Sequence, residues 1–571
     1  MARPREGDGL KRTIRRRGEK CYAYEVTSAM IDGKKRTVSK YLGRVDPETG
    51  ELLEKIPGKS SAERRKIAEQ RDIEVLKEIR VADFGAVYLL DKVQRRIGLG
   101  QDLMDSFGNA AVSMLSIAFA LVQCDGVFDA VEGVLDRTWI RDMYGLKGSF
   151  DSGTLSRLTK EIGIKAQGNM EKFFECRIRR NEGIVAWDTT THGCYSDMDG
   201  LAEFVVGNKD DEDLKQVKVG LATDKRGVPM MYRIYPGNVS DMDTVKNLSN
   251  DIGRCGGKDV LYVMDRGFCS GWNLRFMIRN GYDFVVPAKT DGKAVKKLLT
   301  SFRTAREARD LEFGGHIYRV WKTELDIVAD PGRKKVDGDQ AYTFIIPEDE
   351  GHATEGRLTA YVCFDSKKYS DEVQAHKSMI DGLMKAAEKI DSKDPEAEFR
   401  RLAGKAIRHF DVEAEGRKVK VSVKPKSASF EENRAGLFVM LTSEGVTWEA
   451  MMIAYDARRL TEQGFDRKKG ESRRFCTSDK EAMRGREFLR FLDLILVCEL
   501  SAELREAKLE RKVTVEGAIS SLDCVQVREY RGTRYVTEID RRQRTMFEAF
   551  SVPIPKEAVS GELIFDPPVG P

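Results

Sequence analysis

Asp188, Asp265 and Glu462 are three carboxylates set at the ends of, or just after, stretches with the texture of core elements. Asp188 closes the apolar run Ile184-Val-Ala-Trp, and Asp265 closes Val260-Leu-Tyr-Val-Met. Glu462 lies on a helical stretch that follows the apolar run Gly436 to Thr442. The chain holds 93 acidic residues, so composition alone supports no particular triple and position must do so. In an open α/β sheet, ligands bind outside the carboxyl ends of the strands, where carboxylates can face a shared ion. Two unit charges 4 Å apart repel by about 1 kcal/mol in water and about 4 kcal/mol at an effective dielectric of 20. A cluster of this kind therefore needs cations. Hard divalent ions such as Mg²⁺ or Mn²⁺ take oxygen ligands. A pair of them about 3.5 to 4 Å apart suits an in-line phosphoryl transfer.

The stretch around Glu462 adds a numerical test. At about 100° per residue, Tyr455, Arg458, Glu462 and Lys469 fall within an arc of about 60° on one helix face. Such a stripe can place a metal-holding glutamate beside two cations for phosphates and a supporting tyrosine. Taken alone, it reads better as a solvated polar face with i,i+4 support between Arg458 and Glu462. Its combination with the two aspartates favours the catalytic reading.

The elements that must position these groups follow from period and punctuation. Ile184 to Asp188, Gln216 to Thr223 and Pro229 to Tyr235 read as three strands of an antiparallel meander, with a turn at Asp224-Lys-Arg-Gly227. Ser240 or Asp241 can cap a helix to about Ile252, and a buried strand then ends at Asp265, so a parallel crossover is expected. Thr447 can cap the helix that carries Tyr455. Between these parts, 291–435 alternates β-rich pieces with one helical piece and reads as an insertion into an interrupted core. Upstream, 61–180 is helical by spacing, and Phe150 to Gly163 reads as a turn and a capped helix, either an ordinary surface helix or part of a helix-turn-helix reader.

The 571 residues favour several structural units, and 41% hydrophobic with 33% charged residues exclude wholesale disorder. The formal net charge of +4 names no partner, but residues 1–45 hold 13 Lys or Arg against five Asp or Glu. Within them, Cys21 to Val26 and Arg36 to Leu42 flank Asp32-Gly33, a hairpin signal, so a small basic β module is expected, in contact with nucleic-acid phosphates or simply solvated. The ten cysteines form no CxxC, which argues against a disulfide scaffold or a zinc ribbon. No secretory signal or membrane span is read, and Gly253 to Lys258 lacks the phosphate-loop spacing, so no membrane and no nucleotide cofactor are expected. The expected location is the cytoplasm, associated with the nucleoid.

Three blocks carry a family likeness. Trp187-Asp-Thr-Thr-Thr-His-Gly193, Tyr235-Pro-Gly-Asn-Val-Ser-Asp241 and Val263-Met-Asp-Arg-Gly-Phe268 resemble those of insertion-sequence transposases of the IS4 superfamily, closest to its IS1634-like group. The helix signature of that family (Tyr, two residues, Arg, three residues, Glu, six residues, Lys) is matched in every gap by Tyr455, Arg458, Glu462 and Lys469. Gly464 departs from helix regularity at about 1 kcal/mol.

The resemblance implies a DDE transposase of fold class α/β, with an RNase H-like catalytic core (a mixed sheet flanked by helices) and a β-rich insertion. A helical N-terminal region and the basic β module precede it. The expected divisions are 1–60 (basic hairpin module, DNA contact), 61–180 (helical; DNA binding or dimerisation), 181–290 (first core part), 291–435 (insertion), 436–505 (second core part) and 506–571 (C-terminal region). Asp188, Asp265 and Glu462 would be the catalytic metal ligands for two Mg²⁺ or Mn²⁺ ions, with Arg458 and Lys469 on DNA phosphates and Tyr455 supporting them. Double-stranded DNA, both transposon ends and target, would be the partner of a homodimer in a synaptic complex. A cleavage-inactive DNA-binding derivative and a metal-dependent nuclease without joining activity are the alternatives.

His192 reads as a polar residue beside the site, Cys194 and Cys269 as small core residues, Trp321 as core packing or a base-stacking ring, and Phe488 to Val497 as a core helix.

Overall fold

The computed structural model describes residues 11–555 except 19, 32, 54–60, 182, 195–200, 205–213, 256, 258–259, 291, 331–340, 348–352, 472–473 and 476–478; within helices and strands the side chains of 61–64, 67–69, 71–72, 166–167, 241–242, 428, 430–431, 461–471 and 474–475 are also left aside. The chain divides into two units, residues 1–80 with 529–532, and residues 81–528 with 533–571.

The first unit contains an antiparallel three-stranded sheet, Lys11–Arg17, Lys20–Ile31 and Lys34–Val45, in sequential order. Gly33 takes a left-handed φ of 76° at the second turn, a conformation that costs glycine little. A small core of Cys21, Ala23 and Val45, with Leu42 against it, lies on one face. The helix Ser61–Glu78 follows.

The second unit is built on an 11-stranded mixed sheet. Its central strand, Ile184–Cys194, pairs antiparallel with Lys215–Thr223, which pairs antiparallel with Pro229–Pro236. On its other side the central strand pairs parallel with Leu261–Met264, and that strand pairs parallel with Asp283–Pro287. The crossover between the parallel pair includes the helix Asp241–Arg254. Ser240 holds the N-cap position, but its hydroxyl bonds Asp243 at 2.7 Å in place of a backbone amide. The central strand runs six residues past Asp188, where the sequence suggested it would stop, because Thr189 to Cys194 keep pairing with Lys215 to Gly220.

The sheet does not end at residue 290. Leu437–Thr442 pairs antiparallel with Asp283–Pro287, and Gly356–Asp365, His316–Ala329 and Arg309–Phe313 extend the order outward from it. The long strands of 291–435 thus extend the core sheet on one side, each paired on both flanks, with Arg309–Phe313 at the edge. The hairpin Phe410–Glu415 and Lys418–Val423 forms a separate two-stranded sheet with its own small core of Phe399, Phe410, Ala387 and Ile390. Alternating apolar runs cannot reveal to which sheet a strand belongs, because pairing partners are chosen by tertiary contacts.

Helices cover both sheet faces. Trp448–Glu471 lies on one, where Met451, Met452, Ala454 and Ala457 pack with Ala186, Val263 and Val285. The long helix Lys480–Glu506 is buried through most of its length among the helices of 85–180. Ser152–Ile164, capped by Asp151 through a 2.7 Å bond from the Thr154 amide, packs directly on it. A Cβ on Gly163 would stand 1.8 Å from the Glu481 carbonyl, and one on Gly485 would stand 1.8 Å from that of Thr159. This is a capped surface helix, buried on one face at Leu155, Thr159, Ile162 and Gly163, and that face packs on the long helix. No single helix among the described residues is long and apolar enough to cross a membrane.

Candidate active site

Parallel pairing of the two central strands fixes the relation between the aspartates. The register runs Ile184 to Leu261, Val185 to Tyr262, Ala186 to Val263 and Trp187 to Met264. Asp188 and Asp265 are the next residues on each strand, and Asp265 keeps an extended backbone with φ −75° and ψ 164°. Successive side chains alternate between faces, so Asp188 shares a face with Ala186 and Asp265 shares one with Val263. That face is the one covered by Trp448–Glu471. The opposite face holds Trp187, fully buried, its indole nitrogen donating to Thr244 at 3.2 Å. The neighbouring strand makes room for that ring with Gly220, where a Cβ would come 2.2 Å from it. Bulk beneath the sheet therefore holds the backbone from which Asp188 projects above it.

Asp188 is half-buried and its Oδ1 accepts the Thr189 amide at 2.8 Å. Arg458, on the covering helix, sets Nη2 3.0 Å from Asp265 Oδ1, with 12% of the arginine side chain and 40% of the aspartate side chain exposed. The Arg458 guanidinium carbon lies 5.8 Å from the Tyr455 ring centroid, a cation–π distance. Thr447 starts this helix by accepting the Ala450 amide at 3.2 Å. Asp188, Asp265, Tyr455 and Arg458 are thus carried by two adjacent strands and one helix.

Glu462 and Lys469 lie on the same helix, one and about three turns beyond Arg458, and the helix continues through Gly464. The side chains of Glu462 and Lys469 are outside the described residues. Among the described residues no group of three His, Cys, Asp or Glu side chains is close enough to hold a metal ion. The donor set that is described, two carboxylates each one residue past the last pair of one parallel register, with a guanidinium on one of them, suits a hard cation: its donors are oxygens, and one oxygen already holds a positive charge.

A groove of about 660 Å³ opens from Asp265, bordered by Arg266, Lys368, His376, Arg434 and Arg458. Lys368 Nζ lies 4.9 Å from the Phe438 ring centroid, and Arg434 Nη2 donates to the Thr290 carbonyl at 2.8 Å. Glu372 and Glu432 also line it, so the wall is mixed in charge. The sequence reading missed Arg266, Lys368 and Arg434. The first could have been noticed as the neighbour of Asp265, whereas the others come from a segment whose docking on the core has no local signature. His192 and Cys194, on the Asp188 strand, and Cys269 are each 3% exposed. Trp321 is partly buried against the main core.

Residues 182–492 match the family model described as the transposase DDE domain. The chain belongs to that family, the DDE transposases of insertion-sequence type. No curated protein matches the chain. Among solved structures, it is similar to the piggyBac transposase synaptic complex with hairpin DNA, at 9% identity and a TM-score of 0.29, over 76% of this chain and 70% of that one.

Proposed function

We propose that the chain is the transposase of an insertion sequence of the IS4 superfamily, IS1634-like, with an RNase H-like core. In this reading it binds the terminal inverted repeats of its element, cuts at their ends and joins the freed 3′ hydroxyl to target DNA. The observation that carries the reading is the placement of Asp188 and Asp265, each one residue past the last pair of one parallel register, beneath the helix that bears Arg458.

Asp188, Asp265 and Glu462 would hold two Mg²⁺ or Mn²⁺ ions, which when bound supply activation of the attacking hydroxyl and stabilisation of the leaving oxygen. Trp187, packed below the sheet, fixes the strand that presents Asp188. Tyr455 lies against Arg458 and limits where its guanidinium can reach. Arg458 is placed to turn from Asp265 to a phosphate oxygen once the carboxylate is otherwise neutralised, and its planar donors suit that anion. Lys469 would bind phosphate further along the same helix. Synapsis of two ends calls for at least a homodimer.

The test supplies labelled element ends, a target plasmid and Mg²⁺ to the full-length protein. Joined product from the wild type, with cleavage lost but end binding kept in Asp188→Ala, Asp265→Ala and Glu462→Ala, is the expected result. Cut product without joining would restrict the protein to a nuclease, and a shifted complex without chemistry would make it a binding protein. Full activity in Asp265→Ala would remove the assignment.

A further inference from the structure

The three-stranded sheet of the first unit has a second face that its small core leaves open. Register brings Arg15, Tyr22 and Arg44 side by side across the strands, and next to them Thr13, Tyr24 and Tyr41. The Tyr41 ring centroid lies 5.5 Å from that of Tyr24 and 6.2 Å from that of Tyr22. The Arg15 guanidinium lies 5.1 Å from the Tyr24 centroid. A bulge at Leu42 turns that residue into the core and Tyr41 out to the open face.

Beyond the Lys11 pair with Val26, Thr27 to Ile31 pair antiparallel with Val38 to Lys34 as a ribbon. Ser28 and Thr37 stand opposite each other there, on the face that carries the tyrosines, followed by Met30 opposite Lys35. Residues 11–45 include 11 Lys or Arg against three Asp or Glu, and Arg15, Arg17, Lys35 and Arg44 are exposed.

Charge and shape select the same partner. A surface this basic gains affinity from nucleic-acid phosphates by releasing counterions. Two strands about 4.8 Å apart fit a major groove about 12 Å wide, which admits a two-stranded ribbon. The tyrosines lean on one another and Tyr24 is capped by Arg15, so they form a packed saddle and not a row of open rings on which unpaired bases would stack.

We propose that this face reads duplex DNA, with the ribbon in the major groove, Ser28 and Thr37 toward base edges, and Arg15, Arg17 and Arg44 on flanking phosphates. The proposal rests on the transposase reading above and assigns recognition of the ends to this sheet.

Full-length wild-type protein is titrated with three fluorescein-labelled probes of 30 nucleotides or base pairs: a duplex copied from the DNA flanking the coding sequence, its single strand, and an unrelated duplex. In Arg15→Ala/Arg17→Ala/Arg44→Ala, duplex affinity should fall at least about 10-fold, and the slope of log K against log salt should flatten by about 2.7, or 0.9 for each phosphate contact. Ser28→Ala/Thr37→Ala should shrink the preference for the flanking duplex over the unrelated one. Wild-type binding that the triple variant retains, with an unchanged circular dichroism spectrum, overturns this inference and leaves the catalytic reading standing. Tighter binding of the single strand by the wild type also overturns it. A wild type that binds neither duplex sinks the transposase reading itself.

Discussion

Arg458 on the covering helix and Asp265 at the end of a core strand form an ion pair of 3.0 Å, in which the arginine is mostly buried and the carboxylate is open to solvent. The pair ties the helix to the strand and puts a positive charge on a carboxylate that, in the proposed mechanism, holds a divalent ion. Arginine and metal therefore compete for the same oxygen.

Removing that competitor has a signed consequence. A partly exposed pair of this kind is worth roughly 0.2 to 1 kcal/mol, so Arg458→Ala should bind Mn²⁺ up to about 5-fold more tightly in calorimetric titration. The same variant should lose strand cleavage by at least about 100-fold, because the phosphate loses its planar donor. Weaker Mn²⁺ binding in Arg458→Ala would show that the arginine supports the ion site and does not compete for it.

Iron can map the site without any DNA. Fe²⁺ with ascorbate generates radicals where it binds, so the chain should be cut near residues 188, 265 and 462, and excess Mg²⁺ should suppress all three cuts. Cuts near 188 and 265 alone would remove Glu462 from the ligand set.

Close approach of two helices leaves no space at Gly485, where a Cβ would stand 1.8 Å from the Thr159 carbonyl. Backbone cannot yield as a side-chain tip does. Gly485→Ala is expected to cost about 3 kcal/mol or more, measured as a lower midpoint in urea unfolding, whereas Gly382→Ala, with nothing within 4 Å of its Cβ, should be neutral or slightly stabilising.

Glu503 gives stability a pH dependence. Burial pushes its carboxyl up to about 7, against the pull of Arg96, and Glu499 adds to the rise. A folded-state pKa above the unfolded one means that the contribution is complete below about 4.5 and is lost as pH rises through about 7. Glu503→Gln should flatten the stability profile across that window by on the order of 2 kcal/mol, read from urea midpoints at pH 5 and pH 8.

Local chemistry made much of this chain legible before any tertiary information. The meander at 184–236, the parallel crossover to Asp265 and the Thr447 start of the covering helix depend on apolar period, turn residues and caps, which act over a few neighbours. The spacing of Tyr455, Arg458, Glu462 and Lys469 is likewise a property of one helix. Three facts had no local signature: that Asp188 and Asp265 each stand one residue past the last pair of one parallel register, that Arg458 rests on Asp265, and that the strands of 291–435 join the core sheet. Register and sheet membership are settled by which apolar faces bury together over long separations, and a groove wall assembled from Lys368 and Arg434 exists only once that burial has taken place. The residues of the site were present in the sequence; folding alone set the distances between them.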